Sequence, residues 1–206
     1  FAPSYKSSDP GTSGRFNLGC KLALSLCEQA LISSTTGSVH FRADGTRKTL
    51  RKKLERGSSV FLRLKLSQRQ ADEIEAVLPL IVPRVPTTFN GSPLLERTPL
   101  RTIEVTLPSE YADEEGRLRR TRRKTVVEVY APTTDEGGYI LELGMPVVAT
   151  GDLYTANVLQ AVPLGVERED VTPGFKAKVR AAVLNATHDL LTEDQASEAC
   201  VREGAA

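Results

Sequence analysis

Between residues 58 and 78 the chain changes its period without a spacer. "SSVFLRLKL" sets Val60, Leu62, Leu64 and Leu66 in alternation with Arg63 and Lys65, the pattern of a strand with one apolar face. "SQRQADEIEAVLP" follows at once, with Ala71, Ile74, Val77 and Leu78 at helical spacing. Ser67 and Gln70 have the spacing of a capping box, and Pro79 stops the helix. A strand that hands over directly to an amphipathic helix calls for a sheet with helices laid on it. That places the chain in the α/β (α+β) class.

The 206 residues suffice for one large or two small domains. Acidic and basic residues nearly cancel, for a formal net charge of +1, so global charge does not point to nucleic acid. No secretory leader or membrane span is visible, which predicts a cytoplasmic protein with no membrane partner. The first residue is Phe1 inside the loop-like "FAPSYKSSDPGTSG", and the expectation is that sequence precedes it in a longer parent.

From Gly19 to about Ile32 the apolar run predicts a helix, with Ala23, Cys27, Ala30 and Leu31 at its spacing. On such a helix Cys20 and Cys27 would stand roughly 10 Å apart, too far for a disulfide. With Cys200 they read as thiols in a reducing compartment. "GSVHF" and "GTRKTL" predict a hairpin, Asn90-Gly91 a tight turn, and "RTIEVTL", "KTVVEVYA", "GYILELG" and "MPVVA" further strands. "PSEYADEEGRLRRTRR" reads as a charged connection. Thr172 and Pro173 open a long helix with its stripe at Phe175, Val179, Ala182, Val183, Ala186 and Leu190, and Thr192 with Gln195 opens a last short one. The boundary between domains is expected near Pro83 to Pro86, giving 1–84 and 85–206.

His40 on a strand and His188 on the last long helix have neither triad order nor metal-ligand spacing, so structural roles are expected and no metal site. Two stretches are strongly basic, 47–56 and 117–124. Such clusters attract phosphates, but the acidic neighbours Asp113, Glu114 and Glu115 and the lack of interleaved aromatics favour a solvated hairpin at the second.

"SGRFNLGCKLALSL" brackets four residues between Gly14 and Gly19 and opens into the apolar run. Backbone N–H groups of such a loop can face an anion. It is not a Walker A loop, because Cys20 precedes Lys21 and Leu22 stands where a magnesium-holding hydroxyl belongs. It resembles instead the second glycine box of the GHKL ATPases (gyrase B, the ninety-kilodalton heat-shock chaperone, histidine kinases and MutL). Gly14, Phe16 and Gly19 match the chaperone branch's Gly-x-Phe-x-x-Gly, while Asn17 replaces a further glycine. Arg56, Gly57 and Ser58 resemble the Arg-Gly-Thr that begins the last strand of that nucleotide domain. "VPLGVERED" is similar to the middle-domain Leu-Pro-Leu-Asn-Val-Ser-Arg-Glu, matching at Pro163, Leu164, Val166, Arg168 and Glu169.

The resemblance implies the C-terminal part of a Bergerat-type nucleotide-binding sandwich, with its ATP lid, followed by a transducer-like mixed α/β domain. It implies ATP with Mg2+ as cofactor, contacted by Gly14, Arg15, Phe16, Asn17, Leu18, Gly19 and Lys21. Ser58 would lie beside adenine, on the strand face of Val60 and Leu62, and Arg168 would reach the terminal phosphate on domain closure. The family's water-activating Glu, magnesium-holding Asn and adenine-reading Asp have no counterpart in these residues, so ATP hydrolysis would belong to the parent. A protein client and a homodimer are implied as partners. Two other classes of function fit the sequence: a nucleic-acid-binding module using 47–56 and 117–124, and a non-catalytic scaffold.

Overall fold

The computed structural model describes residues 23–113, 115, 117–133, 137–163 and 171–205. The described chain divides into two compact units, one reaching to Glu75 and one starting at Ala76. Both are mixed, with sheets and a few helices, so the α+β class stands.

The first unit is a four-stranded antiparallel sheet of β1 (Cys27–Ser34), β2 (Ser38–Arg42), β3 (Arg47–Leu50) and β4 (Ser58–Leu64), in spatial order β3-β2-β1-β4. The helix expected through Ile32 is not there: residues 23–25 are helical and β1 begins at Cys27. The run "ALIS" can satisfy either period. It becomes a strand because β1 is central, hydrogen-bonded to β2 on one side and β4 on the other, and that pairing overrides local spacing. The β2–β3 hairpin forms as expected, turning through Asp44, whose carboxylate accepts from the Thr46 N–H at 2.8 Å and the Thr46 hydroxyl at 2.6 Å. Helix α1 (Gln68–Val77) follows β4. Both arms of its cap are made: Ser67 N–H donates to Gln70 Oε1 at 3.0 Å, and Gln70 N–H to Ser67 Oγ at 3.4 Å. A 3-10 turn holding Pro79 ends it.

In the second unit, β5 (Thr88–Phe89) and β6 (Ser92–Pro93) flank Asn90 and Gly91, both at positive φ, the geometry of a tight hairpin turn. A five-stranded sheet then runs β10-β9-β11-β8-β7, built from β7 (Arg101–Ala112), β8 (Leu118–Tyr130), β9 (Tyr139–Glu142), β10 (Met145–Ala149) and β11 (Thr155–Val158). The connection expected over 108–123 is mostly strand. β7 and β8 stay paired from Arg101↔Val129 to Ala112↔Leu118, because charges that look loop-like in sequence face each other across the ribbon, as Glu110 faces Arg120. β11, not anticipated from the sequence, is buried along its whole length between β8 and β9.

Helix α2 (Pro173–Thr187) covers one face of this sheet. Phe175, Val179 and Val183 pack with Leu107, Val127, Val129, Ile140, Ala156 and Val158. Val82, Tyr130 and Leu141 form a smaller cluster beside Tyr139. Thr172 sits at the helix start as expected but caps through its carbonyl, which accepts from Phe175 and Lys176, and not through its side chain. His188 falls just past α2, in a 3-10 turn. α3 (Glu193–Ala196) carries the full Thr192–Gln195 capping box, and α4 (Ala199–Ala205) ends the described chain.

Candidate functional site

Gly14, Arg15, Phe16, Asn17, Leu18, Gly19 and Lys21 lie outside the described residues, as does Arg168. Ser58 is the exposed first residue of β4, opposite Ser34. Cross-strand neighbours share a face. The register Ala30↔Phe41 and Leu62, Ile32↔Val39 and Val60, therefore sets Ser58 on an apolar face, on the same side as Val60 and Leu62. The alternation is the expected one. The face is not buried at this point, since Val60 is 60% exposed.

The opposite face of this sheet is polar. Arg42 and Arg63 both stand directly across from Gln29, so the three form one row over β2, β1 and β4. The next row runs Lys48, His40, Leu31, Phe61. Gln29 Nε2 and His40 Nε2 stand 2.7 Å apart, within hydrogen-bond distance. A shift of register between Cys27 and Gln29 makes Glu28 a bulge residue, and it joins Gln29, His40, Arg42 and Arg63 around an open cavity of about 300 Å3. Sequence reading took His40 as structural and missed the row. The available signal was the pair of alternations "HFR" and "FLR", which becomes a cluster only once β1 is known to lie between them.

In the second unit, β11 leads toward the segment that carries Arg168, and its exit is firmly held. Ser109 Oγ donates to Ala161 O at 3.0 Å, Val162 N–H to Glu142 Oε2 at 2.7 Å, and Gln160 Nε2 to Pro108 O at 3.0 Å. Gln160 is 1% exposed, and among the described residues its Oε1 has no partner. On the sheet face of Leu141, buried Asn157 bridges strands: its amide donates to Glu128 Oε2 at 2.8 Å and its oxygen accepts from Gly144 N–H at 2.7 Å. Tyr130 donates to the same carboxylate oxygen at 2.9 Å. Burial, and then the Glu128 carboxylate, push the Tyr130 hydroxyl well above its ordinary pKa. The Arg97 guanidinium lies 4.9 Å over the Tyr130 ring and donates to Ala131 O, and burial lowers its pKa. Asn157, Glu128 and Tyr130 satisfy one another across the strands, while Arg97 Nη1 is buried without a partner among the described residues.

Three of the arginines in the basic stretch 117–124 are paired with acids of their own hairpin. Arg117 and Arg119 both reach Asp113 Oδ2, at 3.2 and 2.8 Å, Arg117 also reaches Glu115 at 3.0 Å, and Arg120 lies 3.6 Å from Glu110. Among the described residues no group of His, Cys, Asp and Glu is arranged to hold a metal ion, and no helix is long and apolar enough to cross a membrane. No protein-family model matches the chain, and neither a curated protein nor a solved structure matches it.

Proposed function

We propose that this chain contributes one part of a GHKL-type ATP site, with 1–84 as the C-terminal part of a Bergerat-type nucleotide domain and 85–206 as a transducer-like domain. The observation that carries the reading is the face of Ser58. A hydroxyl at the start of β4 borders an apolar surface of Ala30, Ile32, Val39, Val60 and Leu62, the chemistry that an adenine ring with a polar edge requires. The glycine loop precedes this sheet and the Arg168 segment follows β11, which is the family's order.

Bound ATP would supply a transferable phosphoryl group with its Mg2+. The lid amides from Gly14 to Gly19, with Lys21, would bind its phosphates. Arg168 would neutralise charge at the terminal phosphate when the domains close. On this reading the family's water-activating Glu and magnesium-holding Asn would lie outside these residues, and this chain's own part would be binding and closure. On the same reading the protein is cytoplasmic, acts on a protein client through conformational change, and works as a homodimer.

The reading frame upstream of Phe1 is the first test. A Glu-x-x-x-Asn box followed by Asp-x-Gly-x-Gly is the expected result, and its absence would overturn the reading. In the protein so extended, Gly19→Val should abolish ATP binding, because a side chain would block approach of the phosphates to the backbone. Arg168→Ala should slow hydrolysis at least ~10-fold, about 1.4 kcal/mol of barrier, and leave ATP affinity nearly intact. Normal turnover in that variant would reduce Arg168 to a surface charge.

A further inference from the structure

We propose that the polar face of the first sheet binds single-stranded nucleic acid, with Arg42 and Arg63 gripping a phosphate and Phe61 stacking a base. The proposal stands apart from the ATP reading, since the nucleotide would use the opposite, apolar face. Three observations carry it.

The first is convergence of charge. Arg42 and Arg63 flank Gln29 across three adjacent strands and line one open cavity of about 300 Å3 with it and His40. Among the described residues neither guanidinium is in a salt bridge, although Arg42 lies near enough to Asp44 to help lower its pKa, after the hydrogen bonds from Thr46. Two planar forks without an ion partner, beside an amide, suit a phosphate oxygen set. The contrast with 117–124 is instructive, because there acids of the same hairpin already occupy four of the guanidinium contacts.

The second is an aromatic at the right place. Phe61 is 50% exposed on the same face, one row from the arginines, a separation of about 6.6 Å at 3.3 Å per residue. A ring beside a phosphate grip is the pairing that lets a surface take successive nucleotides without reading sequence. The third is continuity: exposed Lys48 extends the Phe61 row at the β3 edge, and the segment that follows β3 carries exposed Arg51, Lys52 and Lys53. Glu28, the bulge acid, subtracts one charge from the cavity and can accept from base N–H groups.

The probe is a fluorescein-labelled oligothymidylate, followed by anisotropy with the 206-residue chain over a range of salt. Binding should weaken with salt, and Arg63→Ala and Arg42→Ala should each lower the salt slope by about one. Phe61→Ala should weaken binding about tenfold with the slope unchanged. Arg122→Ala with Lys124→Ala, on the other hairpin, should leave affinity within twofold. All of these side chains are exposed, and unchanged far-UV circular dichroism checks that each variant folds. The proposal is overturned by any of four results: no salt-dependent binding, indifference to Arg63→Ala and Phe61→Ala, inorganic phosphate or duplex competing as well as the oligonucleotide, or loss confined to the Arg122/Lys124 variant.

Discussion

Gly144→Ala should be among the most damaging single substitutions in the second unit. Gly144 has φ +90°, and a Cβ built there would stand 2.1 Å from the Val82 carbonyl oxygen. The contact is backbone, so no side chain can swing aside. The same residue closes two bonds: its carbonyl accepts from Val82 N–H at 2.9 Å, and its N–H donates to buried Asn157 at 2.7 Å. Placing a Cβ in left-handed backbone costs about 1–2 kcal/mol. Parting the chains by the ångström the clash demands leaves one buried polar group unsatisfied, roughly 1–3 kcal/mol more. The sum is about 2–5 kcal/mol, a drop of roughly 8–20 °C in Tm for a unit of this size. Gly151→Ala is the control, since Gly151 has φ +66° and nothing within 4 Å of its built Cβ. It carries the backbone penalty alone, about 1 kcal/mol. Urea and thermal unfolding followed by circular dichroism measure both. Equal losses in the two variants would mean that the approach of Val82 to Gly144 contributes nothing, and the reasoning fails.

Two further outcomes follow from the packing and the charges. Phe175 is 1% exposed at the centre of the helix–sheet contact, so Phe175→Ala should destabilise by about 3–5 kcal/mol; a loss under about 1 kcal/mol in urea melts would show that α2 does not rest on this sheet. At Asp113, partial desolvation raises the carboxyl pKa, but the Arg117 N–H, the Arg119 guanidinium and the Arg117 guanidinium outweigh it and hold it at about 2. Its ionised form therefore supports the hairpin tip above the ordinary carboxyl value, and that support is lost as pH falls through about 2. A carbon-13 carboxyl titration should show that midpoint; a midpoint near 3.8, the ordinary aspartate value, would dissolve the cluster.

The parts of the fold that were legible are those set by neighbours in sequence. The Asn90-Gly91 turn, the β2–β3 hairpin, both capping boxes, and the stripe of α2 through Phe175, Val179 and Val183 each depend on residues within one or two turns of one another. The parts that were not legible depend on distant partners. "CEQALISS" has helical spacing, yet it is a strand because Val39 and Val60 lie on either side of Ile32. "TANV" reads as polar, yet it is a buried central strand because Asn157 meets Glu128 from β8 and Gly144 from the β9–β10 turn. The misreading of 108–123 has the same origin, since Glu110 and Arg120 look solvent-bound until the ribbon pairs them.

The candidate sites divide along the same line. The glycine loop and the Arg168 segment are contiguous motifs that sequence alone can propose, and they lie outside the described residues, whereas the row of Arg42, Gln29 and Arg63 is assembled from strands whose contributing residues lie at positions 29, 42 and 63. No window of sequence contains it. Nor does net charge reveal it, because a chain at +1 can still segregate its charges. Here the segregation is by face. Pleating sends Arg42 and Arg63 to one side of a sheet and Val39, Val60 and Leu62 to the other, so one four-stranded element presents an apolar surface and a cationic one back to back. Inserting one residue into β1 would exchange its two faces and break the row, because a slip by one residue sends every side chain to the other side. The bulge at Glu28 lies at the Gln29 end of that strand, next to the residue that both arginines flank. A bulge there re-aims a side chain without disturbing the register from Gln29 to Ser33, which leaves the apolar face intact while the cationic face gains its one acid.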